Sequence, residues 1–254
     1  MGKFLLAASL SAFSLSAFAE VTETQPKTKW YEDYWNASDV AFGVYFMTDN
    51  VDRGISGSNN KASFATYAKA NYGPFYAGGF YMPRDFGPMV DARAEADYFV
   101  GFNKDFGPVK FDIASFYVDL SPSDDYNYIE SYAALTYNFP TQTSLTFKYG
   151  WTDNMDDVGA NLRAYELIAM HALTDKWYLS GNVGHRDLEN WYGPNYEWLH
   201  LGVTYQFTPF VGVDLKYKTT NLTDAEGCYP EQSCKSKVYA VLRLDQSLRN
   251  ILAK

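Results

Sequence analysis

The chain has 254 residues, a formal net charge of −9 and an aromatic content of 18%, with 22 tyrosines and 10 prolines. This acidic balance argues against a nucleic-acid partner, because nucleic-acid-binding proteins are usually basic. An aromatic-rich chain with few prolines favours β-strands over other regular structure.

The first 19 residues have the organisation of a secretory signal peptide. Lys3 supplies a short positive segment, residues 4–15 form an apolar run, and Ala17-Phe18-Ala19 fits the small-x-small cleavage pattern. The apolar run is shorter than the ~20 residues that a membrane-spanning helix needs, so we expect cleavage rather than a retained anchor. Residues 1–19 are therefore excluded from the fold.

Residues 20–37 precede the first predicted strand and contain the aromatic-rich stretch TKWYEDYWN. We interpret this stretch as a periplasmic segment whose aromatic side chains lie at a membrane interface. The alternative is a short plug that enters the interior of the fold from the same side.

From residue 38 onward the sequence alternates with period two. In residues 144–151 (SLTFKYGW) large apolar residues alternate with small or polar ones, and residues 211–218 (VGVDLKYK) repeat the pattern. Such alternation predicts strands with one apolar and one polar face. Most of the predicted strands are about 9 to 12 residues long, which suits a tilted strand that crosses a bilayer. Twelve strands are predicted, at residues 39–48, 62–72, 75–82, 94–104, 109–119, 127–138, 143–152, 162–173, 176–186, 196–207, 210–218 and 236–246.

The connections between these strands alternate between short and long. Five are tight turns, including Gly73-Pro74 and Thr208-Pro209, and they alternate with longer polar segments such as 49–61 and 219–235. Short turns on one side and long loops on the other are typical of outer-membrane barrels. The order of the connections places both chain ends on the short-turn side. The fold prediction is therefore an all-β, transmembrane antiparallel β-barrel of twelve strands.

The two faces of the strands differ in charge. If the apolar faces contact lipid, the charged partners point into the barrel, where a water-filled interior tolerates them. A soluble barrel or sandwich would instead place the apolar faces inside and the charged faces outside; twelve strands of this length favour the membrane barrel. The candidate pore-lining residues are Lys69, Asp97, Asp112, Lys148, Glu166, Arg186, Asp214, Lys216 and Arg243.

Two further features belong to the predicted long loops. Arg53, in the stretch VDRGISGSNNK, follows the first strand at the outer mouth, where it either turns inward toward carboxylates such as Glu95 or Glu130 or contacts lipopolysaccharide phosphates. Cys228 and Cys234 are the two cysteines of an exported chain, so we expect a disulfide between them.

Several short motifs resemble the TorF porin family of proteobacterial outer membranes. They are Arg53-Gly54-Ile55-Ser56 after the first strand, YGPFYAG at residues 72–78, residues 94–101 and 128–134, and YEWLHLGVTYQF leading to DLKYKTTN. Because each motif is short, the resemblance depends on the order in which the motifs occur over nearly the whole mature chain. It implies a porin-like outer-membrane barrel. The chain departs from the family in lacking an aromatic residue directly before Arg53 and at its C-terminus.

Enzymatic and metal-binding functions fit the sequence poorly. An outer-membrane phospholipase needs a histidine and a serine two positions apart, a spacing absent at His171, His185 and His200. Residues 153–159 fail as a calcium loop, because Met155 stands where an oxygen ligand is needed. We therefore predict no enzyme, no metal site and no cofactor.

Together these patterns divide the chain into a signal peptide (1–19), a periplasmic segment (20–37), an outer-membrane barrel (38–248) and a C-terminal tail (249–254). The predicted function is passive diffusion of small polar solutes across the outer membrane. The alternative is a filled barrel that acts as a structural protein or adhesin through its extracellular loops. Expected partners are outer-membrane lipid, lipopolysaccharide, the solutes and the barrel-assembly machinery.

Overall fold

The structure, a computed structural model, describes residues 38–86, 91–123, 127–155, 160–189, 194–223, 228 and 232–252. The predicted signal peptide and periplasmic segment lie outside the described residues.

Twelve strands form one closed antiparallel barrel, which confirms the predicted fold class. Two further strands, β2 and β3, pair with each other in the connection that follows β1. A short helix, α1, spans Leu248–Leu252. The strands are β1 Asp39–Met47, β2 Val51–Asp52, β3 Ile55–Ser56, β4 Ser63–Tyr72, β5 Phe75–Pro83, β6 Ala94–Phe106, β7 Val109–Ser121, β8 Tyr128–Phe139, β9 Thr143–Met155, β10 Ala160–Ala172, β11 Trp177–Glu189, β12 Tyr196–Thr208, β13 Val211–Thr220 and β14 Lys237–Ser247.

The barrel closes because β1 pairs with the last strand on one edge and with β4 on the other. Gly43 lies opposite Asp245 of β14 and opposite Tyr67 of β4. Closure gives every strand a hydrogen-bonding neighbour on both edges, which is what a sheet requires inside a bilayer. No helix in the described part of the chain is long and apolar enough to cross a membrane.

The outer surface of the barrel is apolar. Along each strand alternate residues point outward, and exposed Val100, Leu201 and Leu215 belong to this outward set. An aromatic girdle surrounds the end that carries the short turns, where apolar chain meets polar headgroups. The barrel therefore presents the surface of a membrane-spanning protein. Its girdle contains Tyr72, Phe75, Phe106, Phe139, Trp177 and Phe207.

The short turns follow from their residues. Gly73 and Gly107 adopt positive φ angles of 56° and 65°, a conformation that glycine reaches without steric cost. The longer connections lie at the opposite end of the barrel, which we call the long-loop end.

The lipid-facing and interior-facing sides of the barrel strands should respond differently to an added charge. Leu201→Arg, on the lipid face of β12, should cost about 2–4 kcal/mol of unfolding free energy if the site lies near the bilayer midplane. Ser180→Arg is the matched control, because Ser180 on β11 pairs with Gly202, the residue next to Leu201, and faces the interior. Urea unfolding in phospholipid vesicles measures both; equal losses would contradict the assignment of the faces.

Candidate functional site inside the barrel

A β-hairpin from the connection after β1 lies inside the barrel. We call Val51–Ser56 the lumen hairpin; its strands pair Val51 with Ser56 and Asp52 with Ile55. Arg53 and Gly54 form its two-residue turn, with φ angles of 42° and 83°. Two consecutive positive φ angles are the pattern of the turn that best suits tight hairpins. At the second position glycine is needed, since a Cβ there would lie 2.3 Å from Thr220 Cγ2.

The guanidinium of Arg53 lies between two carboxylates of the barrel wall. It forms a short ion pair with Glu130 of β8, and its Nε lies 4.0 Å from Glu166 Oε1 of β10. Gly150, on the intervening strand β9, lies next to the pair: a Cβ there would be in ordinary van der Waals contact, 3.7 Å from Arg53 Nη2 and 3.5 Å from Glu130 Oε1. All three charged side chains are buried.

A second arginine enters from the next long connection. Arg84, just after β5, donates from Nε and Nη2 to the two oxygens of Glu95, at 2.9 and 2.8 Å. This is the planar two-bond geometry that a guanidinium forms with a carboxylate. The Arg84 guanidinium also packs against Gly57, where a Cβ would lie 2.0 Å from Nη1.

The opposite side of the lumen hairpin is held by residues of β13 and β14. Asp49, next to the hairpin, accepts from Ser56 Oγ at 2.5 Å and pairs with Lys237 Nζ at 3.2 Å. Lys218 Nζ donates to the carbonyl oxygens of Gly54 and Ser233, at 3.2 and 2.5 Å. The hairpin is therefore anchored to both sides of the barrel.

The predicted disulfide between Cys228 and Cys234 is present. Both cysteines belong to the same buried apolar cluster as Ile55 of the lumen hairpin. The backbone of Ser233, next to Cys234, accepts a hydrogen bond from Ser56 N at 3.0 Å. The disulfide-bonded connection thus packs directly on the hairpin.

Burial and neighbouring charges shift the pKa values of these loop residues in opposite directions. Burial by itself lowers the pKa of the Arg53 and Arg84 guanidinium groups, but nearby carboxylates raise each pKa above its usual range. Burial raises the pKa of the Asp52 carboxyl, although the guanidinium groups of Arg53 and Arg84 oppose the shift. Both arginines therefore remain charged in the interior.

The interior charges are separated by sign around the barrel. Acidic side chains dominate β6–β8, with Glu95, Asp97, Asp112 and Glu130, whereas Lys110 is the basic residue there. In the ring of twelve strands, β12–β14 lie opposite β6–β8. That side carries the basic side chains Lys216, Lys218, Lys237 and Arg243, together with Asp214 and Asp245.

The predicted pore-lining residues all lie on the interior face of the strands and differ in how far they are buried. Near the short-turn end, Lys216 and Arg243 keep 29% and 17% of their side-chain surface exposed to water. Asp112 in this half accepts hydrogen bonds from Tyr76 and Tyr132, and Lys69 Nζ lies 4.0 Å from the Tyr76 ring. The buried members of the prediction are Asp97, Lys148, Glu166, Arg186 and Asp214.

Apolar side chains fill much of the barrel toward the long-loop end. One cluster includes Ile55, Leu120, Leu162 and Trp198, and a second includes Val51, Tyr45, Met82 and Val241. The lumen hairpin contributes one residue to each cluster. It therefore joins two separate cores across the interior.

Sequence reasoning missed several interior charges. Lys218 and Asp245 lie at inward positions of β13 and β14, and the alternation that identified Asp214 and Arg243 could have found them. Arg84 and Asp49 lie outside the strands, where the alternation gives no signal. Most of the loop that was rejected as a calcium site lies outside the described residues.

Three solved porin structures share this fold. The KdgM porin superposes with a TM-score of 0.55 at 4% identity, over 81% of this chain and 97% of that chain. The NanC porin gives 0.54 at 11% identity, over 81% and 97%. A KdgM porin in complex with disordered oligogalacturonate gives 0.52 at 5% identity, over 82% and 97%. No protein-family model and no curated relative matches the sequence. At these identities the comparison establishes the barrel fold.

Breaking the Arg53 pair should destabilise the protein. Glu130→Gln removes one partner of a buried ion pair, for which we expect a loss of about 3–5 kcal/mol of unfolding free energy. The double variant Arg53→Met with Glu130→Leu should recover much of this loss, because apolar replacement of both partners avoids an unpaired charge. Equal stability of Glu130→Gln and wild type in vesicle unfolding would contradict the pairing.

Proposed function

We propose that the protein is a porin-like channel of the bacterial outer membrane, related to the TorF porin family, that passes small polar solutes by diffusion. The observation that carries this proposal is the combination of an apolar outer wall with a charged interior. Near the short-turn end that interior is open to water at Lys216 and Arg243. The porin folds of the structural neighbours support the same function.

In this proposal the interior charges form the lining of the pore. The half near the short-turn end is lined by Lys69, Asp112, Asp214, Lys216 and Arg243. The half around the lumen hairpin is lined by Asp97, Lys148, Glu166 and Arg186. An N-terminal signal peptide, delivery by the barrel-assembly machinery and contact with lipopolysaccharide belong to the same proposal, and enzymatic activity does not.

A filled barrel is the second candidate function, and one specific observation favours it. The lumen hairpin and both apolar clusters are buried across the long-loop half of the interior. In that case the protein would act as a structural protein or adhesin through its long loops. The two functions differ in whether displacement of the hairpin creates a conducting pathway.

Bilayer recording separates these functions. The wild-type chain, refolded and inserted into planar bilayers, should show a small conductance. A variant in which residues 51–56 are replaced by Gly-Ser-Gly should conduct several-fold more, because the replacement removes the hairpin from the interior. Heat-modifiable migration on a gel checks that both proteins form the barrel. If both fold and neither conducts, the channel proposal is wrong and the filled barrel is supported.

A further inference from the structure

Four carboxylates form a continuous acidic surface on one side of the interior. We call Glu95 and Asp97 of β6, Glu130 of β8 and Glu166 of β10 the acidic wall; all four are buried. The strands themselves bring Lys148 to this wall, with Nζ 3.5 Å from Glu166 Oε1. The two arginines that pair with Glu130 and Glu95 come instead from the long connections. Without those connections the acidic wall would have four carboxylates and only the ammonium of Lys148 beside them, so its net charge would be strongly negative.

The acidic wall is shaped for guanidinium groups. Arg84 binds Glu95 through two parallel hydrogen bonds, and two nitrogens of Arg53 approach the two oxygens of Glu130. An ammonium is a compact point charge and cannot form this planar two-bond contact. The two-bond contacts at Glu95 and Glu130 therefore suit a guanidinium better than an ammonium.

One carboxylate of the wall has spare binding capacity. Asp97 is 2% exposed, and within the described residues its Oδ1 has no hydrogen-bond donor. It lies two positions from Glu95 on the same face of β6, beside the site that Arg84 occupies. A buried carboxylate oxygen without a donor is costly, and a bound cation would satisfy it.

The arginine at the hairpin tip is held in an unfavourable backbone conformation. Arg53 has a φ of 42°, which is uncommon for residues other than glycine, and such conformations persist when surrounding contacts enforce them. The contacts with Glu130 and Glu166 are among those that hold the side chain in this position. A competing cation at Glu130 would remove part of what keeps the hairpin inside the barrel.

From these observations we propose that the acidic wall is the recognition site for small organic cations that carry a guanidinium group. In this conformation Arg53 and Arg84 occupy the positions that such a solute takes. Solute binding at Glu130 and Asp97 then displaces the lumen hairpin and admits the solute. This inference rests on the proposed channel function and names the class of solute.

The first test measures binding without transport. Agmatine, a guanidinium compound, and putrescine, an amine of similar length and charge, are titrated into the refolded full chain by calorimetry. Arg53→Ala should bind agmatine about tenfold more tightly than wild type, because the internal competitor is gone. Putrescine should bind both proteins several-fold more weakly. Asp97→Asn in the Arg53→Ala background should weaken agmatine binding.

A matched control separates competition from general loosening of the loop. Lys237→Ala removes the Asp49 contact on the opposite side of the hairpin and leaves the acidic wall intact. Its affinity for agmatine should rise less than that of Arg53→Ala, because the internal competitor at Glu130 remains in place. Arg53→Lys keeps the charge and loses the two-bond geometry, so its affinity for agmatine should lie between those of wild type and Arg53→Ala. Equal affinity for agmatine and putrescine, absence of agmatine binding to Arg53→Ala, or an equal gain in Lys237→Ala would overturn the proposal.

The second test measures ion selectivity in bilayers. Reversal potentials of Arg53→Ala in a KCl gradient should show a preference for K⁺ over Cl⁻, as expected for a pore lined by carboxylates. A conducting variant that prefers Cl⁻ would overturn the cation site and leave the channel intact. A variant that binds agmatine but never conducts would instead retain the site and overturn the channel function.

Discussion

The interior of this barrel depends on one buried interaction, the guanidinium of Arg53 between Glu130 and Glu166. Removing three charged groups from water is expensive, and mutual attraction offsets that cost only when geometry and hydrogen bonding are good. The tight turn of the lumen hairpin carries Arg53 to these carboxylates. The same hairpin places Val51 and Ile55 in the two apolar clusters, so the ion pair and the packing of the long-loop half depend on one position of the hairpin.

The barrel could be predicted from the sequence because a lipid environment imposes a simple rule on every strand. Each residue faces either lipid or the interior, and the twelve predicted segments agree with the observed strands to within a few residues at most ends. The largest differences lie at the long-loop ends of β9 and β11, where the strands extend beyond the predicted segments to Met155 and Glu189. Charged residues on the inward parity were predictable for the same reason.

The candidate site could not be predicted from the sequence, because it depends on which distant residues meet inside the folded barrel. The strands of the lumen hairpin are two residues each, which is too short to show a period-two alternation in the sequence. The sequence contains nearly equal numbers of interior acids and bases, and their separation onto opposite sides depends on the closed strand order. No local sequence pattern marks Arg84, because its contact with Glu95 depends on the path of the connection that follows β5. The motif Arg53-Gly54-Ile55-Ser56 indicates a turn. The inward orientation of Arg53 depends on its contact with Glu130, 77 residues later in the chain.

The anchorage of the lumen hairpin also has a consequence for the order of assembly. Asp49 contacts Lys237, 188 residues later in the chain, and Lys218 reaches Gly54 across 164 residues. These partners belong to the last two strands, whereas Glu130 and Glu166 belong to the middle of the barrel. The full set of hairpin contacts therefore exists only when strands from the middle and from the end of the chain are both part of the barrel.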